Sequence, residues 1–175
     1  GGGGGRVAVY YQNTAGFDLA RITAFGGTGN AAPNGSAGTI YLQGPGRESG
    51  EIGVDNNNLI SSATSISSPP SALVAPPSLI VRRTTTVLVD GFNTFNNLDL
   101  ASNAALIHSA TTAATIGRMD LKISGTLQID ATSKIDVTGL GFLGGGKPGN
   151  PFLQSFNNSG MTIGFQRGST NRSGG

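Results

Sequence analysis

The chain has 175 residues, of which 29 are glycine and only 11% are charged, and its formal net charge is +2. Because the few cations form no basic stripe, the composition argues against nucleic-acid binding. The absence of cysteine excludes disulfides and thiolate metal sites. No apolar run has the length of a membrane-spanning helix, so we expect no membrane insertion.

Short β segments separated by turn residues are predicted through the first third of the chain. Val, Ile, Thr and Tyr recur in them in short blocks, and Gly, Pro and Asn stand between the blocks. This pattern is typical of a repetitive all-β protein. Four strands are predicted, at residues 6–11, 19–25, 38–42 and 50–55.

Residues 59–78 interrupt this rhythm. A Ser/Thr-rich stretch precedes two proline pairs, Pro69-Pro70 and Pro76-Pro77. Since proline cannot donate to a strand ladder, the segment is predicted to be a loop. Similar strands resume after it, which indicates a Pro/Ser-rich insertion within one domain and not a domain boundary.

The second half repeats an apolar-x-apolar unit followed by a small or polar turn residue. These units lie at residues 79–81, 87–89, 98–100, 105–107, 121–123, 127–129 and 135–137. Such units suit a coil in which each turn stacks on the last, so Leu127 and Ile129 are expected to face its core. The Thr- and Ser-rich segment 101–116 is not expected to be helical. The glycine-rich residues 139–175 are predicted to form tight corners or a tail.

The predicted fold is therefore all-β, a right-handed parallel β-helix (β-solenoid). The rival fold is a two-layer sandwich, which predicts longer strands, hairpin turns and more aromatic residues than the 6% present. We expect one solenoid segment over residues 1–175, as a fragment or repeat unit of a longer chain. Joining residues 173–175 to residues 1–6 would make a continuous glycine seam, as in a unit cut from a tandem array.

Residues 127–142 resemble the rungs of large bacterial secreted and surface β-helix proteins. In these proteins Leu-x-Ile, a short polar turn, Ile-x-Val and glycine follow one another, as they do here. Residues 5–11 and 38–42 are similar to segments of the same giant proteins. The resemblance covers most of the chain outside residues 59–78 and is loosely filamentous-haemagglutinin-like. It implies an architecture and does not specify an activity. Since β-helix proteins also include polysaccharide lyases and hydrolases, the fold alone does not exclude an enzyme.

The residues that could carry chemistry are few. His108, the only histidine, is expected at the surface or in a turn, and no second histidine is present for a zinc site. Several aspartates lie in or beside the repeated units: Asp90, Asp99, Asp130 and Asp136. Aligned carboxylates could bind Ca²⁺ or act as an acid/base pair on a glycan. The favoured interpretation is that they are turn residues whose carboxylates accept backbone hydrogen bonds.

Two further groups of residues stand out. Asn56-Asn57-Asn58 and Asn96-Asn97 are candidates for amide stacks between successive turns of the coil. Three tyrosines, Tyr10, Tyr11 and Tyr41, could form an exposed strip suited to sugar stacking. The alternative, which we favour, is that they cover one flank of the core.

The expected function is an extracellular structural or adhesive module, without enzymatic activity or a cofactor. It would lie on the surface of a bacterium or archaeon, within a fibre or a giant repeat protein. Its expected partners are further copies of the same unit, end to end or in tandem, and glycans are a further candidate partner. The alternative is a carbohydrate-binding or polysaccharide-cleaving β-helix with a groove lined by Tyr41, Arg82, Asp90 and Asp130.

Overall fold

The computed structural model describes residues 1–66, 75–112 and 114–142, and its regular structure is almost entirely β. The only helical element in these ranges is a short 3-10 helix, Leu19–Arg21. The strands, in chain order, are β1 (Arg6–Tyr10), β2 (Thr39–Gly44), β3 (Arg47–Asp55), β4 (Thr64–Ile66), β5 (Ser78–Arg82), β6 (Thr86–Val89), β7 (Gly91–Phe95), β8 (Leu98–Ala101), β9 (Ala105–Ile107), β10 (Met119–Ile123), β11 (Leu127–Ile129) and β12 (Lys134–Ile135). The all-β prediction is confirmed, and segment 101–116 contains no helix among its described residues.

The strands form three sheets. The largest has the order β1-β2-β3-β5-β8-β11, the second has the order β12-β9-β6-β4, and β7 pairs with β10 in a third. In the two larger sheets every pairing is parallel except that of β2 with β3. Parallel pairing of strands so close in sequence requires the chain to cross over between each strand and the next.

The crossovers have the same lengths in both larger sheets. Leu79 in β5 pairs with Leu98 in β8, 19 residues later, and Leu98 pairs with Leu127 in β11, 29 residues later. The second sheet repeats the same spacings, since Thr86 pairs with Ala105 and Ala105 with Lys134. We call one passage of the chain through both larger sheets a rung.

The pairing register of successive strands aligns their apolar residues into columns across the sheet. In the first sheet one inward column consists of Ile52, Leu79, Leu98 and Leu127. A second inward column consists of Val54, Val81, Leu100 and Ile129. The middle members, Leu79, Val81, Leu98 and Leu100, are fully buried. Alternation along each strand thus places one apolar set inside, as the repeated apolar-x-apolar unit requires.

The last rung departs from the expectation. Leu127 is 54% exposed and Ile129 is 38% exposed, although their column neighbours are fully buried. Among the described residues β11 is the outermost strand of its sheet, and no further strand in that part of the chain covers these side chains. The prediction that both residues lie inside the core is therefore wrong for the chain as it stands.

Turns that join the first sheet to the second also stack. Three of them contain two successive non-glycine residues with positive φ: Asn57-Asn58, Arg83-Thr84 and Ser102-Asn103. Backbone bonds tie each turn to the next, from Asn58 N to Arg83 O and from Thr84 N to Ser102 O. Left-handed conformations are unfavourable for L-residues, so this stacking has to stabilise them.

Two predicted segments have different structures. Residues 19–25 were expected to form a strand, but the structure has no strand there. The segment instead contains the 3-10 helix, and the Asp18 carboxylate accepts a hydrogen bond from Ala20 N. The other difference lies in the predicted loop 59–78, where Thr64–Ile66 forms a strand parallel to β6. Residues 67–74 of that loop lie outside the described residues.

β2 and β3 form an antiparallel hairpin, which a purely parallel coil does not contain. Gly44 pairs with Arg47, and Gly46 in the turn has a φ of +78°. The sequence Gly44-Pro45-Gly46 favours this turn, because glycine adopts positive φ without a steric penalty.

Glycines near the N-terminus pack main chain against main chain. A Cβ built at Gly38 would lie 1.8 Å from Gly5 O, and one built at Gly35 would lie 1.8 Å from Gly2 O. Backbone bonds join the same segments, from Gly4 N to Ser36 O at 2.8 Å. Segments 1–5, 24–29 and 33–38 therefore form a backbone-packed cluster without strands, which we call the glycine cluster.

The chain divides into two compact units. The first, Gly1–Ile107 with Asp120–Asp136, contains the elements discussed above. The second consists of His108–Met119 and Val137–Gly175, and most of residues 139–175, the predicted corners or tail, lies outside the described residues. The expectation of one solenoid segment over 1–175 stays a prediction. None of the described helical residues forms a helix long and apolar enough to cross a membrane.

Candidate functional site

A recess of about 300 Å³ lies on the outer face of the first sheet. Its floor is formed by outward side chains of β2, β3 and β5, and segment 19–25 lies over it. The apolar contribution comes from Ile22, Phe25, Ile40 and Ile80. The segment that was wrongly predicted to be a strand therefore encloses one side of this recess.

The rim of this recess is charged, but its charges are paired. Arg82 forms a two-point contact with the carboxylate of Asp99, and Arg83 does the same with Asp55. The Arg83 guanidinium also lies 5.4 Å from the centre of the Phe25 ring. Because a two-point Arg–carboxylate contact fixes the relative geometry of both side chains, each arginine is oriented by its carboxylate partner.

The recess does not bring together the four residues predicted to line a glycan groove. Arg82 lies on the rim of the recess, whereas Tyr41, Asp90 and Asp130 are not part of its lining. Tyr41 is half-buried and its hydroxyl donates to Gln43 Oε1 at 3.3 Å. Burial and the neighbouring Tyr10 raise the pKa of Tyr41.

Asp130 is a turn residue, as the favoured interpretation held. Its carboxylate accepts hydrogen bonds from Ser102 N at 2.7 Å and from Thr132 N at 2.9 Å. These bonds and those from the hydroxyls of Ser133 and Thr132 hold its pKa well below the usual range. The Asp130 carboxylate therefore accepts hydrogen bonds from the backbone of its own turn, at Thr132, and of the turn on the preceding rung, at Ser102. Asp90 is exposed, and its backbone carbonyl accepts a bond from Asn93 Nδ2.

An open cleft of about 600 Å³ lies where β1 ends, beside the β2–β3 hairpin. Two of the three predicted tyrosines, Tyr10 and Tyr11, line it. Tyr41 lies behind Tyr10, with ring centres 5.6 Å apart and ring planes at 53°. The structure thus brings the three tyrosines together, with Tyr10 exposed and Tyr41 half-buried.

Asn56 is a buried polar residue that the sequence analysis assigned to an amide stack. It is fully buried, its Oδ1 accepts from Gly26 N at 2.7 Å, and its Nδ2 donates to Leu59 O at 2.8 Å. The same amide also donates to Gly35 O and to Ser61 Oγ. Its role is to link the glycine cluster to the first rung.

Amide stacks between asparagines are not formed. Asn57 Oδ1 accepts from Arg83, and Asn58 Oδ1 accepts from Thr84. Asn97 bridges Ser78 Oγ and Thr126 N. The predicted stacks are wrong because the register places arginine, threonine and serine, and not asparagine, opposite these amides.

His108 is buried, at 8% exposure, so its expected surface position is also wrong. Its ring Nδ1 lies 2.7 Å from Ser109 O. Within residues 1–66, 75–112 and 114–142, no group of three or more His, Cys, Asp or Glu side chains is arranged to hold a metal ion.

No protein-family model, curated protein or solved structure matches this sequence.

Proposed function

We propose that this chain is a structural or adhesive module, a right-handed parallel β-helix segment of an extracellular or cell-surface fibre or giant repeat protein of a bacterium or archaeon. It is built to stack on further copies of the same unit, end to end or in tandem, and it acts without catalysis.

The repeated crossovers support the β-helix assignment. From β5 to β12 the chain passes in turn through the first sheet, the second sheet and the β7–β10 pair, and it returns in register to each of the two larger sheets. The turns between the sheets also stack, through backbone bonds from one rung to the next. A right-handed coil follows from the strong preference of parallel crossover connections for that hand.

The open end of the inward columns is the observation that carries the proposal. Leu79 and Leu98 are fully buried, and Leu127 in the same column is 54% exposed. In the second sheet, Val87 and Leu106 are fully buried and Ile135 is 41% exposed. Another rung stacked on β11 and β12 would cover these side chains and pair the backbone groups of the edge strands.

Stacking of this kind joins unlike surfaces. The end that exposes Leu127 differs from the end that carries β1, so the contact is heterologous and gives an open filament. A filament of stacked rungs has the mechanical role of a spacer or fibre. The resemblance to giant bacterial surface proteins agrees with this role.

Sedimentation over a wide concentration range, with electron microscopy of the same samples, tests the proposal. We expect concentration-dependent association of the wild-type chain into linear particles. Leu127→Asp should abolish association, because it places a charge in the stacking surface. Gln128→Lys is the matched control, since the adjacent residue points to the outer face of the same strand, where its register partner is Asp99, and it should associate like the wild type.

Two results together would contradict the proposal. One is a strictly monomeric wild-type chain at every concentration. The other is a tandem two-copy fusion that unfolds at the same denaturant concentration as a single copy, because a stacked repeat should add interface stability.

Carbohydrate recognition is the second candidate function, and the tyrosine-lined cleft is the observation that favours it. The groove predicted from Tyr41, Arg82, Asp90 and Asp130 stays a prediction, since the recess is lined by Arg82 but not by the other three residues. A reducing-sugar assay on polysaccharides separates cleavage from binding, and we expect no release of sugar.

A further inference from the structure

The cleft beside the end of β1 combines aromatic rings with polar side chains. Its lining consists of Tyr10, Tyr11, Gln12, Gln43, Gly44, Pro45 and Glu48. Tyr10 is 69% exposed, so a large part of its ring is available to a ligand. Binding sites that orient a small ligand have this composition, an aromatic surface with a few fixed polar groups.

The two aromatic rings are held by the protein itself. The Tyr11 ring packs on the backbone of Gly44, where a Cβ would lie 2.6 Å from ring carbons. The Tyr11 hydroxyl also accepts a hydrogen bond from Arg47 Nη1 at 3.1 Å. Tyr10 rests against the half-buried ring of Tyr41. A ligand would therefore meet a preformed aromatic surface and would lose little free energy in ordering it.

The polar groups of the cleft are also fixed. Gln43 Oε1 accepts from the Tyr41 hydroxyl, while Gln43 Nε2 donates to Glu48 O at 2.9 Å. Glu48 Oε1 accepts from Gly46 N at 2.9 Å. A carboxylate has several acceptor positions, so Glu48 keeps capacity for further donors, and the exposed Gln12 amide offers both donors and an acceptor.

We propose that this cleft binds a pyranose unit of a neutral glycan. The apolar face of the sugar ring would lie on Tyr10, and its hydroxyls would donate to Glu48 and exchange hydrogen bonds with the Gln12 amide. A tyrosine supplies a large apolar face beside a polar edge, which matches a pyranose. Sugar binding in this cleft would be a further property of the proposed structural module. It does not depend on end-to-end stacking, so either proposal can fail without the other.

The charge of the lining argues against an anionic sugar. Glu48 is the only charged residue of the lining, and it would repel the carboxylate of a uronic or sialic acid. Arg47, the nearby cation, is bonded to the Tyr11 hydroxyl and to Glu51 Oε2 at 3.2 Å. Its charge is thereby offset by Glu51 outside the cleft.

Titration calorimetry of the full chain tests the proposal. The probes are hexasaccharides of glucose, galactose and mannose, with a uronic-acid hexasaccharide as the anionic comparison. We expect at least one neutral hexasaccharide to bind and the anionic one to bind more weakly. Tyr10→Ala should lower the association constant about tenfold, the loss typical of truncating an aromatic contact residue.

Two further variants make this result specific. Tyr10→Phe keeps the ring and should change the association constant by less than about twofold. This change is much smaller than the loss of about tenfold that is expected when Tyr10→Ala removes the ring. Phe17→Ala removes another exposed aromatic ring, outside the cleft, and should bind as the wild type does. Sedimentation of the same samples reports stacking separately.

Three outcomes would overturn the proposal. They are no binding of any neutral hexasaccharide, unchanged affinity in Tyr10→Ala, and preference for the anionic hexasaccharide.

Discussion

The rungs from β5 to β11 and the glycine cluster pack the same chain by opposite means. In the rungs, side chains fill the interior, and Leu79, Val81, Leu98 and Leu100 are fully buried. In the glycine cluster the backbone fills the space, because glycines such as Gly38 leave no room for even a Cβ.

The two regions therefore have different sensitivities. In the rungs every second residue is decisive, and what matters is that it is apolar and of the right volume. In the glycine cluster the decisive property is the absence of a side chain, and neighbouring glycines differ according to their distance from the next segment. Hydrophobic burial stabilises the first region, whereas backbone hydrogen bonds and close main-chain contact stabilise the second.

Leu98→Asp should have the largest effect. The substitution places an unpaired charge in a fully buried column, and we expect a loss of more than about 4 kcal/mol, enough to unfold the rungs. Leu127→Asp in the same column is the matched control, because Leu127 is exposed, and it should cost less than about 1 kcal/mol. Urea denaturation followed by circular dichroism measures both. Equal losses in the two variants would mean that the described last rung is covered in solution.

Gly38→Ala tests the glycine cluster. The added Cβ would lie 1.8 Å from Gly5 O, so the backbone has to move, and we expect a loss of about 2–4 kcal/mol. Gly5→Ala is the matched control, since a Cβ at that position would meet no other segment within 4 Å. Hydrogen exchange should show faster exchange at Gly4 N and Thr39 N in Gly38→Ala alone. Similar exchange in both variants would contradict close main-chain packing.

Asn56→Ala tests the link between the two regions. It leaves Gly26 N and Leu59 O without their side-chain partner in a buried position, which should cost about 2–3 kcal/mol. Asn13→Ala, at an exposed position, is the control and should be nearly silent. In thermal unfolding, an Asn56→Ala variant as stable as the wild type would show that the two regions are not held together by this amide.

Asp130→Asn should have the smallest effect, and one that depends on pH. Hydrogen bonds from Ser102 N and from the Ser133 hydroxyl lower the pKa of Asp130 in the folded chain below its ordinary value of 3.8. A lowered folded pKa contributes stability above the ordinary value, and this contribution is lost as the pH falls through the folded pKa.

The difference in Tm between wild type and Asp130→Asn should therefore be constant above pH 3.8 and shrink below it. Asp136→Asn is the comparison, because that carboxylate pairs with the exposed Lys134 ammonium and such surface pairs contribute little. A Tm difference for Asp130→Asn that grows on acidification would contradict this role.

The alternation of inward apolar and outward residues along single strands could be predicted from the sequence. The apolar-x-apolar units at 79–81, 98–100 and 127–129 predicted strands β5, β8 and β11, and the first two are buried as expected. The aspartate in the turn after β11 was also interpreted correctly, because a carboxylate next to free backbone amides is a local feature.

Features that depend on contacts between distant parts of the chain could not be predicted from the sequence. Residues 19–25 alternate like a strand, but the segment instead contains a 3-10 helix and lines the recess on the outer face of the first sheet. The burial of Asn56 depends on segments 21 to 30 residues earlier in the chain. The cleft likewise joins the end of β1 to a hairpin more than 30 residues away. In each case the deciding partner is distant in sequence.

Parallel stacking of rungs is the claim on which the rest depends, and an engineered disulfide tests it most directly. The chain has no cysteine, and Leu88 and Ile107 are register partners on adjacent strands of the second sheet. Adjacent strands lie about 4.8 Å apart, within the span of a disulfide. Leu88→Cys with Ile107→Cys should therefore oxidise to an intramolecular disulfide. Thr86→Cys with Ile107→Cys is two residues out of register and should not. Equal cross-linking of both pairs, or cross-linking of the second pair alone, would contradict the stacked-rung structure.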